Sequence, residues 1–206
     1  MGFLRAWIRG NAFLDHLKPF GRLFSATAIQ NVIEFGLGDG TRFFLEHAAQ
    51  VKSVEIVTQR SAADGTKWFA KCREQYRAFP NWHPVFMVCD DFLEAADRCA
   101  IERRLYPATI DDRYLKSLSG IVSDVIKDAS YDLGFVDYGL HIRGDLVNCL
   151  FGRTRIIVAH DTNSPAEIYG RDKIIDHPDY VKVRYSKGQG TTFWFHRDRM
   201  QLAEVI

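Results

Sequence analysis

Between residues 32 and 41 the chain passes from an apolar run, Val32-Ile33-Glu34-Phe35, through Gly36, Gly38 and Gly40 into Thr41, and no other feature constrains the fold as strongly. A short apolar run ended by glycines reads as a buried strand. Residues 41–50, with Phe44, Leu45 and Ala48 on one helical face, read as the helix that follows. Three alternate glycines at such a turn leave the backbone free to bend and let a ligand approach the helix N-terminus.

The same rhythm continues downstream. Residues 51–58 read as a second strand, 62–79 as a helix and 84–89 as a third strand; 131–136 and 155–159 are buried-type strands joined by a helix over 141–150. Alternation of this kind gives a doubly wound, Rossmann-like, mostly parallel sheet with helices on both faces. The runs 180–185 and 191–196 flank Ser186-Lys187-Gly188-Gln189-Gly190, a hairpin signature, so the last of seven strands is expected to run antiparallel. Residues 3–27 have helical spacing interrupted by Pro19 and Gly21, and form an N-terminal helical cover within residues 1–30. Residues 94–130 are charged, helical in spacing and longer than a crossover requires, which suggests a helical insertion or lid. With 206 residues and no linker or repeat, 1–206 is expected to be a single domain.

Composition narrows the partners. Twenty-seven lysines and arginines nearly cancel 26 acids, so no strong field draws the chain to nucleic acid or an anionic membrane. Arg5, Arg9, Asp15 and Lys18 break up any signal-peptide core, and no stretch is long enough to span a bilayer, which points to a cytoplasmic protein. Four scattered cysteines lack the spacing of a zinc site or disulfide framework and read as reduced thiols. Trp7, Trp68, Trp82 and Trp194 read as packing residues, and aromatics near Trp7 or Phe24 leave a homo-oligomer open.

The chemistry clusters in two places. A pyrophosphate dinucleotide fingerprint would have its third glycine where Thr41 stands, and Glu34 ahead of the loop would repel a pyrophosphate but suit a ligand bearing an amino group and a sulfonium. Glu55, twenty-one positions on, can accept hydrogen bonds from ribose hydroxyls. Asp90 and Asp91 close the third strand, where one of them can accept from an adenine amine while Phe92 lies near the ring. The second cluster lies after strands four and five. Asp137 and Asp161 should converge over the crevice, and with Asn163 they form an oxygen-rich set suited to magnesium or manganese. His141 and His160 offer a metal-independent base for a substrate hydroxyl.

The run Glu34 to Gly40, then Glu55, then Asp90-Asp91-Phe92 resembles the nucleotide-binding motifs of class I S-adenosylmethionine-dependent methyltransferases, whose sheet also ends in an antiparallel strand. The resemblance implies that Glu34, Gly36, Gly38 and Gly40 border the amino-acid end of the cofactor, Glu55 holds its ribose, and Asp90 or Asp91 its adenine. The segments after strands four and five resemble small-molecule O-methyltransferases acting on sugar, antibiotic or phenolic hydroxyls, with Asp137 and Asp161 as metal ligands. His160 departs from that pattern, where a second acid is found. The resemblance implies methyl transfer to a small-molecule hydroxyl, with Asp137, His141 and His160 as candidate catalytic groups. Two other readings stay open: a catalytically silent nucleotide-binding relative and an NAD-dependent oxidoreductase.

Overall fold

The computed structural model describes residues 15–58, 61–89, 112–127, 130–138 and 142–206. Along these the elements are α1 (Leu17–Ala26), β1 (Asn31–Phe35), α2 (Thr41–His47), β2 (Gln50–Thr58), α3 (Ala62–Tyr76), β3 (Trp82–Cys89), α4 (Asp112–Ile126), β4 (Tyr131–Val136), α5 (Arg143–Leu150), β5 (Thr154–His160), β6 (Tyr180–Tyr185) and β7 (Thr191–His196), with short 3-10 turns at Arg171–Lys173 and Arg197–Val205.

The seven strands form one sheet in the order β3-β2-β1-β4-β5-β7-β6. Pairing is parallel from β3 through β5, whereas β7 runs antiparallel to both β5 and β6. The hairpin expected from its glycine-containing turn is present, and it inserts its second strand beside β5 and leaves β6 at the edge. Buried on both faces, the central strands are almost continuously apolar. Val32 joins the core under α1, α2 and α3, while Ile33 and Phe35 point into the core under α4 and α5. Glu34 thus faces the same side as Val32, because side chains alternate along a strand.

Three local expectations need correction. Pro19 and Gly21 do not interrupt α1. Pro19 is its third residue, where the missing N–H would have no helical partner. The helix after the glycine loop ends at His47 rather than at residue 50, since Asn31 of β1 pairs with Gln50 and draws it into β2. β3 begins two residues earlier than expected, at Trp82, opposite Val51. Leu118, Val122, Val125 and Ile126 of α4 pack into the core beneath the sheet; residues 94–111 of the expected insertion lie outside the described residues.

α1 is anchored by Phe20, which is fully buried against the rings of Phe43, Phe44, Phe135 and Phe193. One turn earlier on the same face is His16. Replacing Phe20 by alanine is expected to cost about 3–5 kcal/mol in urea unfolding. A loss below about 1 kcal/mol would mean that α1 is not part of the cooperative core.

Candidate functional site

Gly36 leaves β1 with a φ of +95°, and a Cβ there would fall 2.5 Å from the carbonyl oxygen of Asp137 at the exit of β4. Glycine alone allows the exits of the two strands to come so close. At Gly40 a Cβ would meet His16 Nε2 at 3.2 Å. A Cβ on Gly38 would meet nothing within 4 Å, so there is open space beside that position.

The loop is clamped from several sides. The Leu37 N–H donates to Glu55 Oε2 at 3.1 Å, and the Gly38 N–H to Thr41 Oγ1 at 3.1 Å. From α3, the Trp68 indole donates to the Leu37 carbonyl at 2.9 Å and the Tyr76 hydroxyl to the Gly38 carbonyl at 2.8 Å. Trp68 therefore positions the loop and is partly exposed, at 38%, instead of serving purely as packing. Glu55 is not the last residue of its strand, since β2 runs on to Thr58; it lies just beyond β1, whose Phe35 pairs with Val54.

Between the loop and β4 lies a cavity of about 200 Å³ bordered by His16, Glu34, the stretch from Gly36 to Thr41, Phe135 and Asp137. Among the described residues no lysine or arginine lines it. Two of its acids, buried Glu34 and half-buried Asp137, differ in state. Glu34 is 1% exposed and accepts a hydrogen bond from Ser53, whose hydroxyl in turn accepts from the Trp82 indole at 2.8 Å. Burial, only partly offset by the hydrogen bonds from Ser53 and Thr41 and reinforced by the charges of Asp137 and Glu55, raises the Glu34 carboxyl to about 8. Glu34 is therefore a neutral acid near pH 7, not the standing anion its sequence position suggests, and a cation brought beside it would ionise it. Burial also raises the Glu55 carboxyl, against the hydrogen bond from Leu37.

Asp137 behaves oppositely. Burial acts to raise its carboxyl, but the hydrogen bond from His160 and the charges of Arg143, His160 and His16 outweigh it and hold Asp137 well below the usual carboxylate range. His160 Nδ1 lies 3.3 Å from Asp137 Oδ1 and 3.4 Å from Asp161 Oδ1. Nδ1 faces the carboxylates, and Nε2, on the other side of the ring, has no hydrogen-bond partner among the described residues. The ring of His16 lies beside it, centroids 4.2 Å apart.

Asp137 and Asp161 do converge, and ligand atoms of Asp137, His160 and Asp161 lie within 4.8 Å of one another, as a metal site would require. The guanidinium of Arg143, however, already bridges the two carboxylates: Nη1 donates to Asp161 Oδ2 at 3.0 Å and Nη2 lies 3.4 Å from Asp137 Oδ1. That guanidinium already takes an oxygen of each carboxylate, and its charge offsets part of the attraction the pair would exert on a divalent ion. Asn163, the expected third ligand, is turned away: its amide nitrogen donates to the carbonyls of Ser186 and Gly188, and its oxygen accepts from Arg184. It fastens the hairpin turn instead. The donor set does not fit magnesium or manganese.

Asp90, Asp91, Phe92 and His141 lie outside the described residues. Sequence reasoning passed over Arg143 and His16. Neither carried a local signal, since a charged residue at a helix start reads as solvated.

No family model matches the chain, and no curated protein matches it. Solved structures do. An O-methyltransferase from Bacillus cereus in complex with S-adenosylhomocysteine superposes with a TM-score of 0.50 at 13% identity, covering 86% of this chain and 79% of that one. A protein of Corynebacterium glutamicum gives a TM-score of 0.50 at 13% identity, covering 95% and 96%. The chain has the class I methyltransferase fold. At such identity the likeness extends to architecture, and within that architecture the glycine loop, Glu34 and Asp137 lie around one crevice at the carboxyl ends of β1 and β4.

The state of Glu34 sets a slope. Its proton is held more tightly in the folded protein than in the unfolded chain, so stability is expected to fall as pH rises from about 4.5 to about 8. Glu34→Gln should remove that slope. In urea unfolding the variant should exceed the wild type by a few kcal/mol near pH 8 and by little at pH 5. Parallel pH profiles would show that Glu34 is ionised in the folded protein.

Proposed function

We propose that the chain transfers the methyl group of S-adenosylmethionine to a hydroxyl of a small molecule. The observation that carries this reading is the cavity beside the glycine loop: its ionisable groups are acids and one histidine, with no lysine or arginine among the described residues lining it. Such a wall suits a ligand end bearing an ammonium and a sulfonium, and is unsuited to the pyrophosphate of NAD. Glu34 and the open space beside Gly38 would receive the amino-acid end, Gly36 and Gly40 shaping the loop around it. Glu55 would take the ribose, and Asp90 or Asp91, with Phe92 nearby, the adenine.

In the transfer the acceptor oxygen forms a bond to the methyl carbon as the carbon–sulfur bond breaks, and the sulfonium leaves as neutral S-adenosylhomocysteine. The hydroxyl proton passes to an imidazole, His160 held by ionised Asp137 or His141 from the neighbouring segment. Catalysis is otherwise positioning. No step runs through magnesium or manganese, whose place beside Asp137 and Asp161 is held by Arg143. A near-zero net charge favours small substrates over a polyanionic partner, and among the described residues no helix is long and apolar enough to cross a membrane. A silent nucleotide-binding relative would share the cavity and differ in turnover alone.

Calorimetric titration with S-adenosylhomocysteine, with NAD as control, tests the reading. Saturable binding of S-adenosylhomocysteine and none of NAD is expected, with affinity reduced roughly 10- to 100-fold in Glu55→Gln. Binding of NAD alone would overturn it. Repeating the titration at pH 7 in buffers of different ionisation enthalpy should reveal release of about one proton as the ligand ammonium ionises Glu34. Proton uptake would contradict the assigned role of Glu34. Turnover is tested separately: His160→Gln should bind S-adenosylhomocysteine as wild type does while losing about 10²–10⁴-fold in transfer to an accepted hydroxyl.

A further inference from the structure

We propose that Arg143 is a built-in replacement for a divalent cation, a positioning residue whose guanidinium holds Asp137 and Asp161 together and thereby fixes His160. This deepens the methyl-transfer reading, yet it concerns a cluster that can be probed without the cofactor.

Arg143 opens α5 and is 2% exposed. Its Nε and Nη2 donate to the Tyr138 carbonyl at 2.9 and 2.7 Å, and Nη1 donates to the His160 carbonyl at 2.7 Å as well as to Asp161. The Tyr169 ring lies against the guanidinium, 3.9 Å from its central carbon. The planar fork thus spans the exits of β4 and β5, contacting main chain and carboxylate on each. Backbone strain is concentrated around it. Asp161 and Tyr169 both adopt positive φ, 58° and 64°, conformations that side-chain-bearing residues hold only when their surroundings enforce them. The adjacent helix start is equally fixed, since a Cβ on Gly144 would fall 1.9 Å from the Gly170 carbonyl oxygen. Carboxylates and main-chain carbonyls are ordinary ligands of a hard ion, and here a buried arginine engages them instead.

Titration of the full chain with Mn²⁺, followed by loss of the free-ion paramagnetic resonance signal, tests the proposal. The wild type is expected to show no saturable site below millimolar Mn²⁺. Arg143→Met is expected to gain a site at least about tenfold tighter, removed again by adding Asp161→Asn, whereas Arg143→Lys stays silent. A merely structural arginine would not uncover a metal site when removed, so a folded Arg143→Met that ignores Mn²⁺ counts against the proposal. A micromolar site in the wild type that Asp161→Asn abolishes overturns it, whether or not Arg143→Met folds. Failure here would leave S-adenosylhomocysteine binding untouched, and failure of that binding would leave the Mn²⁺ result standing.

Discussion

The approach of Gly36 to the carbonyl of Asp137 ties the two halves of the crevice together. β1 pairs with β2 on one side and β4 on the other, and its exit is fixed by the Gly36 N–H on Val54 and the Asp137 N–H on Phe35, both at 3.0 Å. With no room for a Cβ at Gly36, the glycine loop and the Asp137 segment close over one small cavity. Glu55, Trp68 and Tyr76 then hold the loop from behind, and Arg143 and His160 hold Asp137 from the other side. The site is thus stiff on both flanks before any ligand arrives.

Two carboxyl groups on the walls of this cavity are driven in opposite directions by what surrounds them. Glu34 accepts hydrogen bonds from Ser53 and Thr41 and feels the charges of Asp137 and Glu55, and burial decides its state. Asp137 meets Arg143, His160 and His16, and their charges decide its state against burial. One acid therefore stores a proton that an incoming ammonium can release, while the other is a permanent anion that orients an imidazole. Both conditions suit a cofactor with a cationic amino-acid end and an acceptor that must lose a proton.

Much of the architecture could be read from the chain because it rests on local patterns. Continuous apolar strands, the glycine cluster and the hairpin turn at 186–190 each carry their own signal, whereas the order of the strands appears only in the folded sheet. Element ends were less legible: whether residues 48–50 continue α2 or begin β2 depends on pairing with Asn31, a long-range contact. The acids around the loop could be named from spacing, but not the protonation of Glu34, which depends on Ser53 and Thr41 as well as on burial. Arg143 was hidden for a related reason. A charged residue at a helix start reads as solvated, and only the convergence of the exits of β4 and β5 turns it into the centre of a buried cluster. Asn163 looked like an ion ligand by its place after Asp161, yet the hairpin turn packs its backbone against Gly190 and takes its amide.

The account turns on which end of which ligand enters the cavity beside Gly38. A crystal structure of the full chain grown with S-adenosylhomocysteine addresses this directly. The account predicts the ligand's amino group within hydrogen-bond distance of Glu34, its backbone-facing edge against Gly38, and its ribose hydroxyls on Glu55. A ligand seated elsewhere, or one with its adenine in the cavity between Glu34 and Asp137, would contradict it.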